Sequence, residues 1–129
     1  ILQGEVLFDS GSDALRAEGE APLLGLAAGL LPLLEAEPDQ AILVGGHTDN
    51  VPISTERFPS NWALSSARAE AVARVLLRAG VSPQRLVIGG FGPHRPRRDN
   101  ATEDGRRQNR RIEIVLVPNI EDLPTIDDK

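Results

Sequence analysis

The sequence holds 129 residues, 40% hydrophobic and 26% charged, which suits one domain with a buried core and excludes wholesale disorder. It has no cysteine, so a disulfide framework, a thiolate metal site and a cysteine nucleophile are all excluded. An aromatic content of 3% and a net charge of −5 speak against base-stacking platforms and general polyanion binding, so nucleic acid is not an expected partner.

The charge is unevenly spread. Residues 1–60 carry ten acidic and two basic groups, residues 61–118 eleven arginines and five acids, and residues 119–129 four acids and one lysine. The chain opens at Ile1, not methionine, so any signal or membrane anchor is expected upstream. The apolar stretch Ala21 to Leu34 contains Pro22, Gly25, Gly29 and Pro32 and falls short of the ~20 residues of a membrane span.

In chain order, Glu5 to Asp9 reads as a short strand entering a turn at Ser10-Gly11-Ser12. A leucine-rich helix is expected over Ala17 to Glu37, with Pro32 marking a kink or early stop. The continuous apolar run Ala41 to Gly45 predicts a strand buried on both faces, ending in the polar Gly46-His-Thr-Asp-Asn50. Residues 50–60, with Pro52 and Pro59, read as a loop. Ser60 or Asn61 caps a strong helix through Ala79, closed by Gly80. Arg85 to Gly89 is the next strand, Gly92 to Asn100 a loop, and Thr102 caps a short helix carrying Glu103 and Asp104 in its first turn. Arg111 to Val117 is the last strand. The domain is thus expected over residues 1–118, and residues 119–129 as an acidic tail. The order β-α-β-α-β-(α)-β predicts an α/β (α+β) sandwich, a mixed four-stranded sheet with helices packed on it.

Two residues break the packing pattern. With Leu64 at zero on the helix from Asn61, Val75 falls near +20°, Ala71 near −20° and Arg68 near +40°, inside the apolar stripe, at about 100° per residue. A buried cation needs a partner, unless its stem packs on the core while its head reaches water. Asp49 lies just past the carboxyl end of the Ala41–Gly45 strand, where open α/β sheets collect ligands. The bland reading of Asp49 is a structural ion pair or an Asx turn. The functional reading is a pocket with one fixed negative and one fixed positive group, suited to a zwitterion.

His47 beside Asp49 raises a metal site, but no third ligand stands at a plausible spacing, and His94 sits in an Arg/Pro loop. Ser65 and Ser66 have no evident base. No catalytic residue, metal or cofactor is expected. The seven arginines between Arg95 and Arg111 are expected to cap helix ends, pair with acids or touch a polyanionic polymer.

The stretches Phe8-Asp9-Ser-Gly-Ser12, Gly46-His-Thr-Asp-Asn-Val-Pro-Ile53 and Phe58-Pro-Ser-Asn-Trp-Ala-Leu-Ser-Ser-Ala-Arg-Ala69 carry a resemblance, continued by Gly90-Phe-Gly92, Asn100 to Arg107 and Asn109 to Ile114. Across residues 4–118 the chain strongly resembles the OmpA-like peptidoglycan-binding domain, in the style of flagellar-stator and type VI secretion members. That resemblance implies a periplasmic domain holding peptidoglycan noncovalently through the meso-diaminopimelate of its peptide stem. It implies that Asp49 holds the ammonium and Arg68 the carboxylate, with Asp9, Asn61 and Leu64 also at the site and Phe8 and Thr48 beside them in the same motifs. The loop between Asp49 and Asn61 is longer than in simple outer-membrane members and is expected either to cover the pocket or to serve a homodimer. The competing readings are a metal-assisted cell-wall hydrolase using His47 and Asp49, and an oligomerisation module without ligand binding.

Overall fold

The computed structural model describes residues 1–119, 121 and 123–126. Eight elements follow one another: β1 (Leu2–Gln3), α1 (Gly4–Leu7), α2 (Ala17–Ala36), β2 (Gln40–His47), α3 (Asn61–Arg78), β3 (Leu86–Gly92), α4 (Glu103–Asn109) and β4 (Arg111–Pro118). The sheet is mixed and four-stranded, in the order β1-β4-β2-β3. β2 and β3, joined through α3, run parallel, while β4 runs antiparallel to both β2 and β1.

The strand expected over Glu5 to Asp9 is not one. β1 takes only the rungs opposite Ile112 and Arg111, where β4 begins. Beyond Gln3 there is no ladder left to join, and the backbone groups close on themselves instead: Phe8 N–H donates to Gly4 O, making the single turn α1. The apolar pattern of Val6, Leu7 and Phe8 reflects core burial of Leu7 and Phe8, and only Phe8 keeps a β contact, a lone bridge to Leu15.

Helix α2 spans nearly the expected range, and it does not stop at Pro32 but continues to Ala36; its 20 residues, with a mean hydropathy of 1.2, are long and apolar enough to cross a membrane by length and composition. In this fold it packs one face on the domain, since Gly19, Leu23, Ala27 and Leu34, at intervals of four, four and seven residues, form a single buried stripe. Arg85, expected to open the third strand, lies in a short 3-10 turn over Pro83–Arg85. Its guanidinium donates to Leu34 O at 2.6 Å, to Gln40 O at 2.8 Å and to Glu37 O, which satisfies carbonyls orphaned where α2 ends.

The core gathers Leu7, Phe8, Leu23, Ile42, Val44, Val72, Leu76 and Ile112. Helix α3 sits hard on the sheet. A Cβ at Gly46 would collide with the Ser65 carbonyl, and one at Gly90 with the Ser66 hydroxyl. Glycine at these two places lets the first turns of α3 approach the strands closely, which brings the next turn, carrying Arg68, over the carboxyl end of β2.

Candidate functional site

Where β2 ends, a cavity of about 470 Å³ opens among α1, the following Ser10–Gly11 turn, the loop after β2, the start of α3 and α4. Phe8, Thr48, Asp49, Asn61, Leu64 and Arg68, all expected at a site, line it together.

Arg68 is buried, only 6% exposed, so its head does not reach out to solvent. Nε donates to Ser12 O at 2.8 Å, Nη2 donates to Asp9 O at 2.9 Å, and the guanidinium carbon lies 5.0 Å from the centre of the Phe8 ring. Among the described residues no carboxylate stands within ion-pairing distance of it. Burial depresses its proton affinity, and the like charge of Arg110 adds to that, against weaker support from Asp13 and Asp49. The result is a desolvated cation fixed by neutral carbonyls, with hydrogen-bonding capacity still facing the cavity.

Asp49 is 8% exposed and held at both oxygens. Oδ1 accepts from Val51 N–H at 3.0 Å, an Asx turn, and Oδ2 accepts from Arg110 Nη1 at 2.6 Å. Both bland expectations for Asp49 are therefore realised, inside a cavity that Arg68 shares. Thr48, also buried, donates its hydroxyl to Asp49 O at 2.8 Å. Asn61 Nδ2 donates to Val51 O at 3.0 Å, which ties the loop to α3, and Leu64 forms an apolar wall.

Asp9 behaves differently. Its carboxylate turns away to Arg16 at 3.3 Å with 77% of the side chain exposed, and its contribution to the cavity is the carbonyl that orients Arg68. Loop 50–60 covers the cavity through Val51, Pro52 and Ile53. It is fastened by Arg57, whose Nε and Nη2 donate to Asp13 at 3.1 and 2.7 Å, and this fork holds the Asp13 carboxyl below its usual range.

Arg110, Glu103 and Arg106 also line the cavity and escaped the sequence reading. Arg110 is the principal omission. It bridges Asp49 and Glu103, the second contact at 2.7 Å; burial works against its charge, yet the two carboxylates outweigh it and raise its proton affinity. The signal is the antiparallel register, in which His47 pairs with Arg111, so the preceding Arg110 comes opposite Thr48 and beside Asp49.

His47 and Asp49 point to different places. His47 Nε2 lies 3.0 Å from a Glu113 oxygen and its ring stacks on Phe91 at 4.8 Å, while Asp49 faces the cavity. Among the described residues no three His, Asp or Glu side chains converge as metal ligands.

Comparison with known proteins gives one consistent picture. The OmpA family profile matches residues 7–110. Motility protein B of Bacillus subtilis (strain 168) is 35% identical over 118 residues, which cover 91% of this chain and 44% of that protein. The chain thus spans about half the length of curated relatives of this kind. The structure of the cell wall anchor of the T6SS from Pseudomonas aeruginosa superposes with a TM-score of 0.77 at 39% identity, covering 91% of this chain and 78% of that one. The periplasmic domain of Helicobacter pylori MotB superposes with a TM-score of 0.81 at 29% identity, covering 93% and 73%.

Proposed function

The chain belongs to the OmpA family, and from that premise we propose that it binds peptidoglycan noncovalently, gripping the meso-diaminopimelate of the peptide stem. The observation that carries this reading is Arg68, a buried cation with no carboxylate partner among the described residues, lining one cavity with the carboxylate of Asp49. A zwitterionic side chain supplies what each end lacks. Its carboxylate takes the free N–H groups of Arg68 in a charge-assisted contact, and its ammonium joins Arg110 at Asp49. The burial of Arg68 and Asp49 strengthens both contacts relative to open water.

In this reading Thr48, Asn61 and Leu64 shape the cavity, Phe8 backs the guanidinium, and Asp9 aims it through its carbonyl. The domain acts as a periplasmic anchor for a membrane-attached envelope protein or machine of stator or secretion type. Relatives named as a motility protein and as a cell wall anchor support that role, and the separation of His47 from Asp49 favours a binder over a metal-assisted hydrolase. Co-sedimentation with diaminopimelate-type sacculi tests it. Asp49→Asn and Arg68→Ala, each verified as folded by circular dichroism, are expected to stay in the supernatant while the parent chain pellets. Pelleting of both folded variants at the parent level would overturn the assignment.

A further inference from the structure

Three arginines stand apart from the ion pairs. Arg74, Arg106, Arg107, Arg110 and Arg111 each pair with a carboxylate. Arg95, Arg97 and Arg98, exposed on the loop between β3 and α4, have no carboxylate within pairing distance among the described residues. The acid next in sequence, Asp99, accepts from Ala101 N–H at 2.9 Å instead. The loop that displays them is firmly built. Fully buried Asn109 accepts the N–H groups of Arg97 and Arg98 at 2.7 and 2.8 Å, and buried Arg111 donates to Arg95 O at 3.0 Å. Pro93 and Pro96 fix two further φ angles, and the Arg95 guanidinium carbon lies 5.1 Å from the centre of the Phe91 ring.

The chain's single tryptophan reaches the same loop. Trp62 stands on the first turn of α3 with 56% of its surface exposed, and its ring leans on His94, the residue before Arg95, with centroids 4.6 Å apart. Gly92, at φ +59°, leaves room for that contact, since a Cβ there would come 3.2 Å from the indole Cδ1. An exposed indole beside fixed, unpaired cations matches the surface of a bilayer. The amphipathic ring settles at headgroup level, and the guanidinium forks take the phosphates. A soluble polyanion would satisfy the arginines and leave the indole in water, and one aromatic ring is no stacking array for bases.

We propose that Trp62, Arg95, Arg97 and Arg98 form a docking patch for an anionic phospholipid surface. Each arginine near such a surface strengthens attachment about fivefold, so the three together favour it about a hundredfold over an uncharged bilayer. The bonds from Asn109 and Arg111 fix the loop beforehand, so little further ordering is needed on contact. The chain as a whole carries a net −5, so the attraction belongs to this loop and orients the domain. None of the four residues lines the cavity, so lipid docking and the binding proposed there use separate surfaces.

With no tyrosine in the chain, Trp62 alone reports in intrinsic fluorescence. Vesicles of phosphatidylglycerol and phosphatidylcholine in equal parts are expected to shift its emission to the blue, and bromine on their acyl chains to quench it. Pure phosphatidylcholine vesicles should do neither. Soluble polyphosphate, which presents phosphate without a bilayer, should leave the emission wavelength unchanged. In vesicle flotation, the double variant Arg97→Gln with Arg98→Gln, verified as folded by circular dichroism, is expected to bind the anionic vesicles about 25-fold more weakly. Trp62→Ala should weaken flotation several-fold, with partial recovery in Trp62→Phe. An equal response to both vesicle types, the same blue shift with polyphosphate, or parent-level flotation of the folded arginine variant would overturn the patch. Should a variant fail to fold, the vesicle and polyphosphate comparison on the parent chain decides by itself.

Discussion

Arg110 Nη1 donates to Asp49 Oδ2 at 2.6 Å, so the carboxylate assigned to the ligand's ammonium is already paired within the protein. The pair is mostly buried, with side-chain exposures of 27% and 11%, and Arg110 extends it to Glu103. Removing one partner of such a pair leaves the other desolvated. Arg110→Ala is therefore expected to lower unfolding stability by about 1–3 kcal/mol, and a double-mutant cycle with Asp49→Asn should show coupling of at least ~1 kcal/mol by urea denaturation. Additive losses would mean that the contact contributes nothing to the folded state.

Loop 50–60 is pinned across the cavity by the Arg57–Asp13 fork, whose arginine side is well exposed. Exposed pairs contribute little to global stability, but this one closes a loop over the site. Arg57→Ala should leave the thermal midpoint essentially unchanged while amide exchange between Val51 and Phe58 accelerates. Ligand dissociation should rise several-fold, and unaltered exchange in that segment would rule out the clasp.

Asn109 is fully buried and organises the arginine loop that precedes α4. Its Oδ1 accepts from the N–H groups of Arg97 and Arg98 at 2.7 and 2.8 Å, and its Nδ2 donates to Arg98 O and Asn100 Oδ1 at 2.9 and 2.8 Å. Asn109→Ala removes four part-buried hydrogen bonds and should cost about 2–4 kcal/mol by chemical denaturation. A loss below ~1 kcal/mol would show that the loop repacks or that water takes over those bonds.

His47 provides a pH signature. Burial, and then the charge of Arg111, push its pKa from 6.5 down to about 4, against the pull of Glu113, and its Nδ1 is buried without a hydrogen-bond partner. In the unfolded chain the imidazole takes a proton below pH ~6.5, whereas the folded protein refuses it until about pH 4. Stability is thus complete above ~6.5 and falls as the pH drops towards 4, by up to about 3 kcal/mol from this residue. His47→Gln should flatten that part of the profile in urea midpoints measured from pH 7 to 4. Parallel profiles for the two proteins would contradict a neutral buried imidazole.

Much of this arrangement was legible in the sequence. Arg68 stood out because a charge within a helical apolar stripe has few inexpensive solutions, and Asp49 because the strand before it is unbroken. The caps at Ser60 and Thr102, which accept from Ala63 and Gly105 N–H, obey local chemistry and were legible for that reason. The turn Gly4–Leu7 was not, since the same Val-Leu-Phe run serves a core-facing turn as well as a strand, and only the end of β4 decides between them. Arg110 was not legible either. It is one of several arginines in a non-periodic junction, and only the antiparallel register places it at Asp49.

The central claim is that a carboxylate on the ligand completes Arg68. Calorimetric titration with two stem peptides that differ only in carrying meso-diaminopimelate or lysine at the third position tests it most directly, because lysine keeps the ammonium for Asp49 and lacks the carboxylate. A charge-assisted contact of about 1.5–3 kcal/mol predicts that the diaminopimelate stem binds roughly 10- to 100-fold more tightly, and that Arg68→Ala erases the difference. Equal affinity of the parent protein for the two stems would contradict the account.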